Sequence, residues 1–168
     1  MKITKKLLKK KFFARHSNLV APDLIGSLLV RFLDGKNTIK GLIVETEAYS
    51  EEEESCHGHN KRTKSNNSLF GEPGTMYIYK SYGLHHCLNL VTDRKNFASG
   101  VLIRALEIED EEERYASGPG LVSRSLKIDL KFNSLKIYAN KYLKLYDCGF
   151  QFKDTDIVNT KRIGITKS

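Results

Sequence analysis

Ile43 to Ser50 reads I-V-E-T-E-A-Y-S, and the apolar run Leu42-Ile43-Val44 leads into it. The β-branched residues predict a strand. Successive side chains of a strand point to opposite faces. Glu45, Glu47 and Tyr49 therefore share one face, with Val44, Thr46 and Ala48 on the other. A carboxylate held beside apolar residues can take a proton from water as a general base. A pair of solvated acids is the bland alternative, and the spacing does not choose between Glu45 and Glu47. Arg104 interrupts the apolar stretch G-V-L-I-R-A-L-E-I at 100 to 108. A buried guanidinium needs an acidic partner or an anion. Glu45 and Glu47 are candidate partners, which would make Arg104 structural.

Further chemistry-bearing residues follow. Residues 75 to 92, T-M-Y-I-Y-K-S-Y-G-L-H-H-C-L-N-L-V-T, read as two strands turning near Tyr82-Gly83. Tyr77 and Tyr79 share a face, as do His85, Cys87 and Asn89. Tyr82 stands at the tip, where burial gains little, so contact with a partner competes with folding back onto the core. The loop at 51 to 74 holds Cys56, His57, His59 and the basic residues Lys61, Arg62 and Lys64. A loop this long is uncommon unless it is functional. Aromatics interleaved with basic residues suit base stacking and phosphate pairing. With a general base they point to hydrolysis on a nucleobase or nucleotide. A metal site is the rival, but C-H-G-H is not a usual zinc spacing. A Schiff-base mechanism needs a desolvated lysine, and outside the N-terminal arm no lysine sits in an apolar run.

The elements that must position these residues come from one chain of 168 residues, long enough for one domain with its own core. No apolar run reaches the ~20 residues that span a bilayer. The lysine-rich N-terminus lacks a signal peptide's apolar segment, so cytoplasmic location is the default. Three widely spaced cysteines suggest reduced thiols rather than a disulfide framework. The net charge of +8 suggests a polyanion partner, although six N-terminal lysines leave only +2 for the rest. Residues 1 to 20 read as a basic arm or helix and 21 to 168 as the main domain. Leu24, Ile25, Leu28, Leu29 and Phe32 recur at helical spacing and predict a helix over 22 to 33. D-G-K-N at 34 to 37 is a turn, 109 to 116 a short acidic helix, S-G-P-G at 117 to 120 a tight turn before another helix. Amides there could meet a phosphate. Residues 131 to 168 read as short strands and turns.

Four blocks in order carry a resemblance: I-V-E-T-E-A-Y at 43 to 49, F-G-E-P-G-T-M-Y-I-Y-x-x-Y-G-L-H-x-C-L-N at 70 to 89, V-L-I-R-A-L-E at 101 to 107 and S-G-P-G at 117 to 120. A weaker fifth is R-I-G-I at 162 to 165. On these the chain resembles the single-domain alkyladenine (3-methyladenine) DNA glycosylases. The resemblance implies one α+β domain with a curved, mainly antiparallel, barrel-like sheet surrounded by helices. It implies a monofunctional enzyme of base excision repair. Alkylated purines flipped out of duplex DNA lose their N-glycosidic bond, leaving an abasic site. A non-catalytic damaged-DNA-binding module of the same fold is the alternative. Glu47 would be the general base, and Arg104, with a backbone carbonyl near Ile163, would hold the water. Tyr49, His57, Tyr79 and Asn89 would line the base pocket, Asn89 excluding guanine. Tyr82 would fill the vacated stack. Ser65 and Leu121 stand where relatives carry basic residues, so Lys61, Arg62, Lys64 and Arg124 become the candidate phosphate contacts. Neither a metal nor an organic cofactor is implied. The expected partner of this monomer is double-stranded DNA with damaged purines, near a bacterial nucleoid.

Overall fold

In the computed structural model, residues 5–34 and 37–162 are described. The strand expected from about Thr38 is β3, Thr38–Ser50. It pairs on one side with β2, Leu28–Phe32, and on the other with β6, Ser99–Ile108. The expected hairpin is β4, Met76–Ser81, and β5, His85–Val91. β7, Leu143–Asp147, joins β2 to a two-residue edge strand β1, Lys6–Leu7. The order is β1-β7-β2-β3-β6-β5-β4, with every pairing antiparallel. The α+β single-domain expectation holds. The sheet does not close into a barrel: β1 and β4 remain its edges.

Among the described residues, three short helices pack around it: α1, Lys10–Phe13; α2, Ser17–Asp23; and α3, Pro119–Ser125. The helix expected over 22 to 33 is not there. Helix α2 ends at Asp23 with Pro22 in its last turn, and Gly26 at φ 76° turns the chain into β2. The cause is burial. Leu28, Leu29 and Val30 are buried between β3 and β7, so both faces of β2 are apolar. A strand buried on both faces loses its period of 2 and mimics a helix's apolar face. The expected acidic helix shrinks to a 3-10 turn, Glu113–Ala116.

In the basic N-terminal stretch, Leu8 and Phe13 enter the core. The main core unites Val20 and Leu24 below α2, Val122 and Leu126 of the α3 region, and Leu29, Ile43, Leu88 and Ile103 of the sheet. A smaller cluster lies beside it, made of Cys56, Leu69, Phe70, Tyr77, Val91 and Ala98, with Tyr49 and Tyr79 packed against it. The three cysteines are unpaired and buried. Among the described residues, no helix is long and apolar enough to cross a membrane.

Candidate active site

Strands β3 and β6 build one edge of the site through an interruption in their ladder. Ile43 pairs with Leu106, Glu45 with Ala105 and Thr46 with Ile103, so Val44 and Arg104 are both passed over. An irregularity of this kind re-aims side chains. Here the Arg104 guanidinium reaches Glu47 Oε1 at 3.0 Å through Nη1 and Glu45 Oε2 at 3.4 Å through Nε. Both acids thus meet one cation, as the alternating pattern suggested. Burial separates them, which spacing could not do: the Glu47 side chain is 8% exposed and that of Glu45 56%. Glu47 accepts a second hydrogen bond, from the Tyr49 hydroxyl at 2.7 Å. On the opposite face, Thr46 Oγ1 donates to the Ala21 carbonyl at 2.9 Å and ties β3 to α2. The S-G-P-G turn braces the other strand. Gly118 N–H donates to the Arg104 carbonyl at 2.9 Å, and Ala105 bridges Ser117. That amide is therefore engaged within the protein.

Tyr49, which bonds Glu47, also lines a narrow cavity of about 90 Å³. Tyr49, Ser55, His57, Leu69, Tyr77, Tyr79, Asn89 and Gly100 line it. All four residues expected to line a base pocket meet there. Burial raises the phenols of Tyr49, Tyr77 and Tyr79, with the Glu47 carboxylate adding to the shift on Tyr49, so these walls stay protonated and neutral. Burial lowers the His57 imidazole in the same way, which favours its uncharged form. Its Nδ1 lies 2.9 Å from the Tyr77 hydroxyl, and its ring meets Tyr79 edge-on at 4.4 Å between centroids. The Asn89 amide nitrogen donates to the carbonyls of Tyr77 and Cys87. Such a pocket offers planar rings to stack on and a few fixed polar groups to read an edge.

The loop holding His57 is organised by Asn66. Its Oδ1 accepts from Thr63 N–H, and its Nδ2 donates to the carbonyls of His57 and Lys61 at 2.8 and 2.9 Å. Gly58 lets the loop lie flat, since a Cβ there would stand 2.1 Å from Ala98 Cβ. Gly58→Ala is therefore expected to cost about 1–3 kcal/mol, the range for overpacking, and to displace His57. Thermal unfolding and NMR shifts of the His57 ring check this. The C-H-G-H side chains diverge: His57 goes to Tyr77, whereas His59 Nδ1 meets the Glu51 carbonyl at 2.8 Å. Among the described residues no three metal-ligating groups cluster.

Tyr82 is 94% exposed at the hairpin tip, and Leu84 beside it is exposed too. Lys61, Lys64 and Arg124 are exposed. Arg62 is different: it donates to Asn67 Oδ1 and Asn96 Oδ1 and stacks on Phe70. The carbonyl near Ile163 lies outside the described residues, as does R-I-G-I beyond Arg162.

Two polar pocket residues escaped the sequence reading. Tyr77 had a signal, its period-2 relation to Tyr79. Ser55 had none, because a loop brings it in. Arg162 opens the R-I-G-I block, but the block does not reveal the contact it makes beside the cavity. The Arg162 guanidinium lies 4.7 Å from the Tyr49 ring centroid and donates to Ser55 Oγ at 3.0 Å.

A planar aromatic slot with an arginine-held acid at its side, on a sheet whose hairpin offers a bare tyrosine, defines a domain shaped to take in a flat heterocycle. Comparison with known proteins agrees. The family model for methylpurine-DNA glycosylase (MPG) matches residues 11–168. A protein of Trichodesmium erythraeum is 40% identical, the alignment covering 96% of this chain and 89% of that one. One of Synechococcus elongatus is 42% identical over 86% of this chain and 73% of its own. One of Carboxydothermus hydrogenoformans is 40% identical over 95% and 88%. Each bears the name "Putative 3-methyladenine DNA glycosylase". The chain belongs to the methylpurine-DNA glycosylase family.

Proposed function

We propose that this protein is a monofunctional DNA glycosylase that releases 3-methyladenine and related alkylated purines from duplex DNA. The observation that carries the reading is the placement of Glu47. It is buried, bonded by Arg104 and by Tyr49, and that tyrosine lines the aromatic cavity.

The flipped purine enters between Tyr49, Tyr79 and His57. An N3-methylated adenine is cationic, and tyrosine faces attract it more than they attract a normal base. Glu47 takes a proton from a water molecule, whose oxygen bonds to C1′ of the deoxyribose. The glycosidic electron pair leaves with the base, which departs neutral and needs little acid assistance. The Glu47 carboxylate also stabilises the oxocarbenium-like sugar. Arg104 fixes the carboxylate in place. Asn89 guards the guanine amino position, a repulsive element that adds to selectivity. Tyr82 occupies the gap left in the stack. Lys61, Lys64 and Arg124 are free to meet phosphates, whereas the side-chain partners of Arg62 suit it to bracing the loop. The protein acts as a monomer in the cytoplasm.

A single-turnover assay on methylated duplex DNA tests this. Free 3-methyladenine and an intact abasic strand are expected, with no adduct trapped by borohydride. A trapped adduct would indicate a lyase. Tight binding to the lesion without release would indicate a non-catalytic binding module.

A further inference from the structure

Beyond the cavity, a groove of about 810 Å³ runs between α2 and the segment Asp156 to Arg162. Glu45, Glu47 and Arg104 lie on its β3–β6 wall. The segment forms the opposite wall. Among the described residues, 157 to 161 make no hydrogen bond or ion pair to the rest of the protein. Arg162, at the segment's far end, bonds the loop at 53 to 55. Its guanidinium pairs with the Glu53 carboxylate, donates to Ser55 and lies over the Tyr49 ring. Tyr49 in turn donates to Glu47. One forked side chain thus joins the segment, the loop at 53 to 55 and the phenol that orients the buried acid. Arginine suits this task, since its planar fork bonds a carboxylate and stacks on an aromatic face together.

We propose that Arg162 is a positioning residue for the water-activating carboxylate. It clamps residues 156 to 162 across the groove as a strap, so that the site around Glu47 is enclosed only while the Glu53–Arg162–Tyr49 contact holds. This rests on the reading of Glu47 as the base. The strap governs the hydrolytic step, whereas the cavity governs capture of the purine.

The test uses Arg162→Gln, Arg162→Lys and Glu53→Gln in the full chain, with two independent readouts. A nitroxide on Val158→Cys reports the strap by electron paramagnetic resonance. Val158 is 79% exposed, and the native cysteines are buried. The label is expected to become more mobile in Arg162→Gln and Glu53→Gln. The saturating single-turnover rate on methylated duplex DNA should fall about tenfold in each, as loss of good orientation implies. The half-saturating enzyme concentration should stay within about twofold. The double variant should be no worse than either single one, and Arg162→Lys should restore part of the rate. Unchanged label mobility would overturn the clamp. Greater mobility with an unchanged saturating rate, or a loss confined to half-saturation, would overturn the positioning role. If the wild type releases no base, the glycosylase reading fails, while the label still tells whether the clamp exists.

Discussion

Glu47→Gln is expected to reduce the single-turnover release of 3-methyladenine by about 10²- to 10⁴-fold, the range for removing a general base. Glutamine keeps the shape of the side chain. Its amide oxygen can still accept from Tyr49 or Arg104, but the group cannot take a proton from water. The variant should stay folded, because Arg104 retains Glu45 at 3.4 Å. Binding to lesion-containing duplex should also survive, since Tyr49, Tyr79 and His57 are untouched. Glu45→Gln is the matched control. Its carboxylate is 56% exposed, and an exposed ion pair contributes only about 0–1 kcal/mol. Its rate should therefore change by no more than about fivefold. Comparable losses in the two variants would remove the distinction that burial draws between the acids. A Glu47→Gln enzyme within about threefold of wild type would remove the general base altogether.

That distinction also marks how far the sequence could be read. Alternation placed Glu45, Glu47 and Tyr49 together, and both acids do converge on Arg104. Which acid is buried depends on the passing over of Val44 and Arg104 in the β3–β6 ladder. No local pattern encodes such an interruption, because it arises between strands about 60 residues apart. The hairpin was legible because Tyr82-Gly83 sits between two alternating runs. β2 was not, because a strand apolar on both faces carries no period of its own. The resemblance led to His57 and Asn89, but not to what holds the His57 loop. Asn66 and Gly58 act through the carbonyls and the close approach of residues distant in sequence. The same limit applies to Arg162: the R-I-G-I block contains it, but not its partners Tyr49, Glu53 and Ser55, which lie more than 100 residues earlier.

Tyr82→Asn should make the protein more stable and its duplex activity worse. Tyr82 and Gly83 both have positive φ, 49° and 69°, and Leu84 N–H donates to the Ser81 carbonyl at 3.0 Å. This is the backbone of a type I′ turn, in which Asn-Gly is preferred. A tyrosine in the left-handed region costs about 1 kcal/mol. At 94% exposure its ring recovers almost none of that by burial. Asparagine removes the strain, so the unfolding free energy should rise by about 0.5–1 kcal/mol. The lost ring, however, is the group that would fill the stack after the purine leaves. Aromatic stacking on a base is worth about 1–3 kcal/mol, so excision from duplex DNA should fall about 5- to 150-fold. The loss should shrink when the lesion is presented in a bulge, where little stacking must be replaced. Opposite signs for stability and duplex activity, from one exposed side chain, are what a wedge requires. A tyrosine kept for folding would move both downward together, and equal losses on duplex and bulge would mean that Tyr82 acts elsewhere than in the stack.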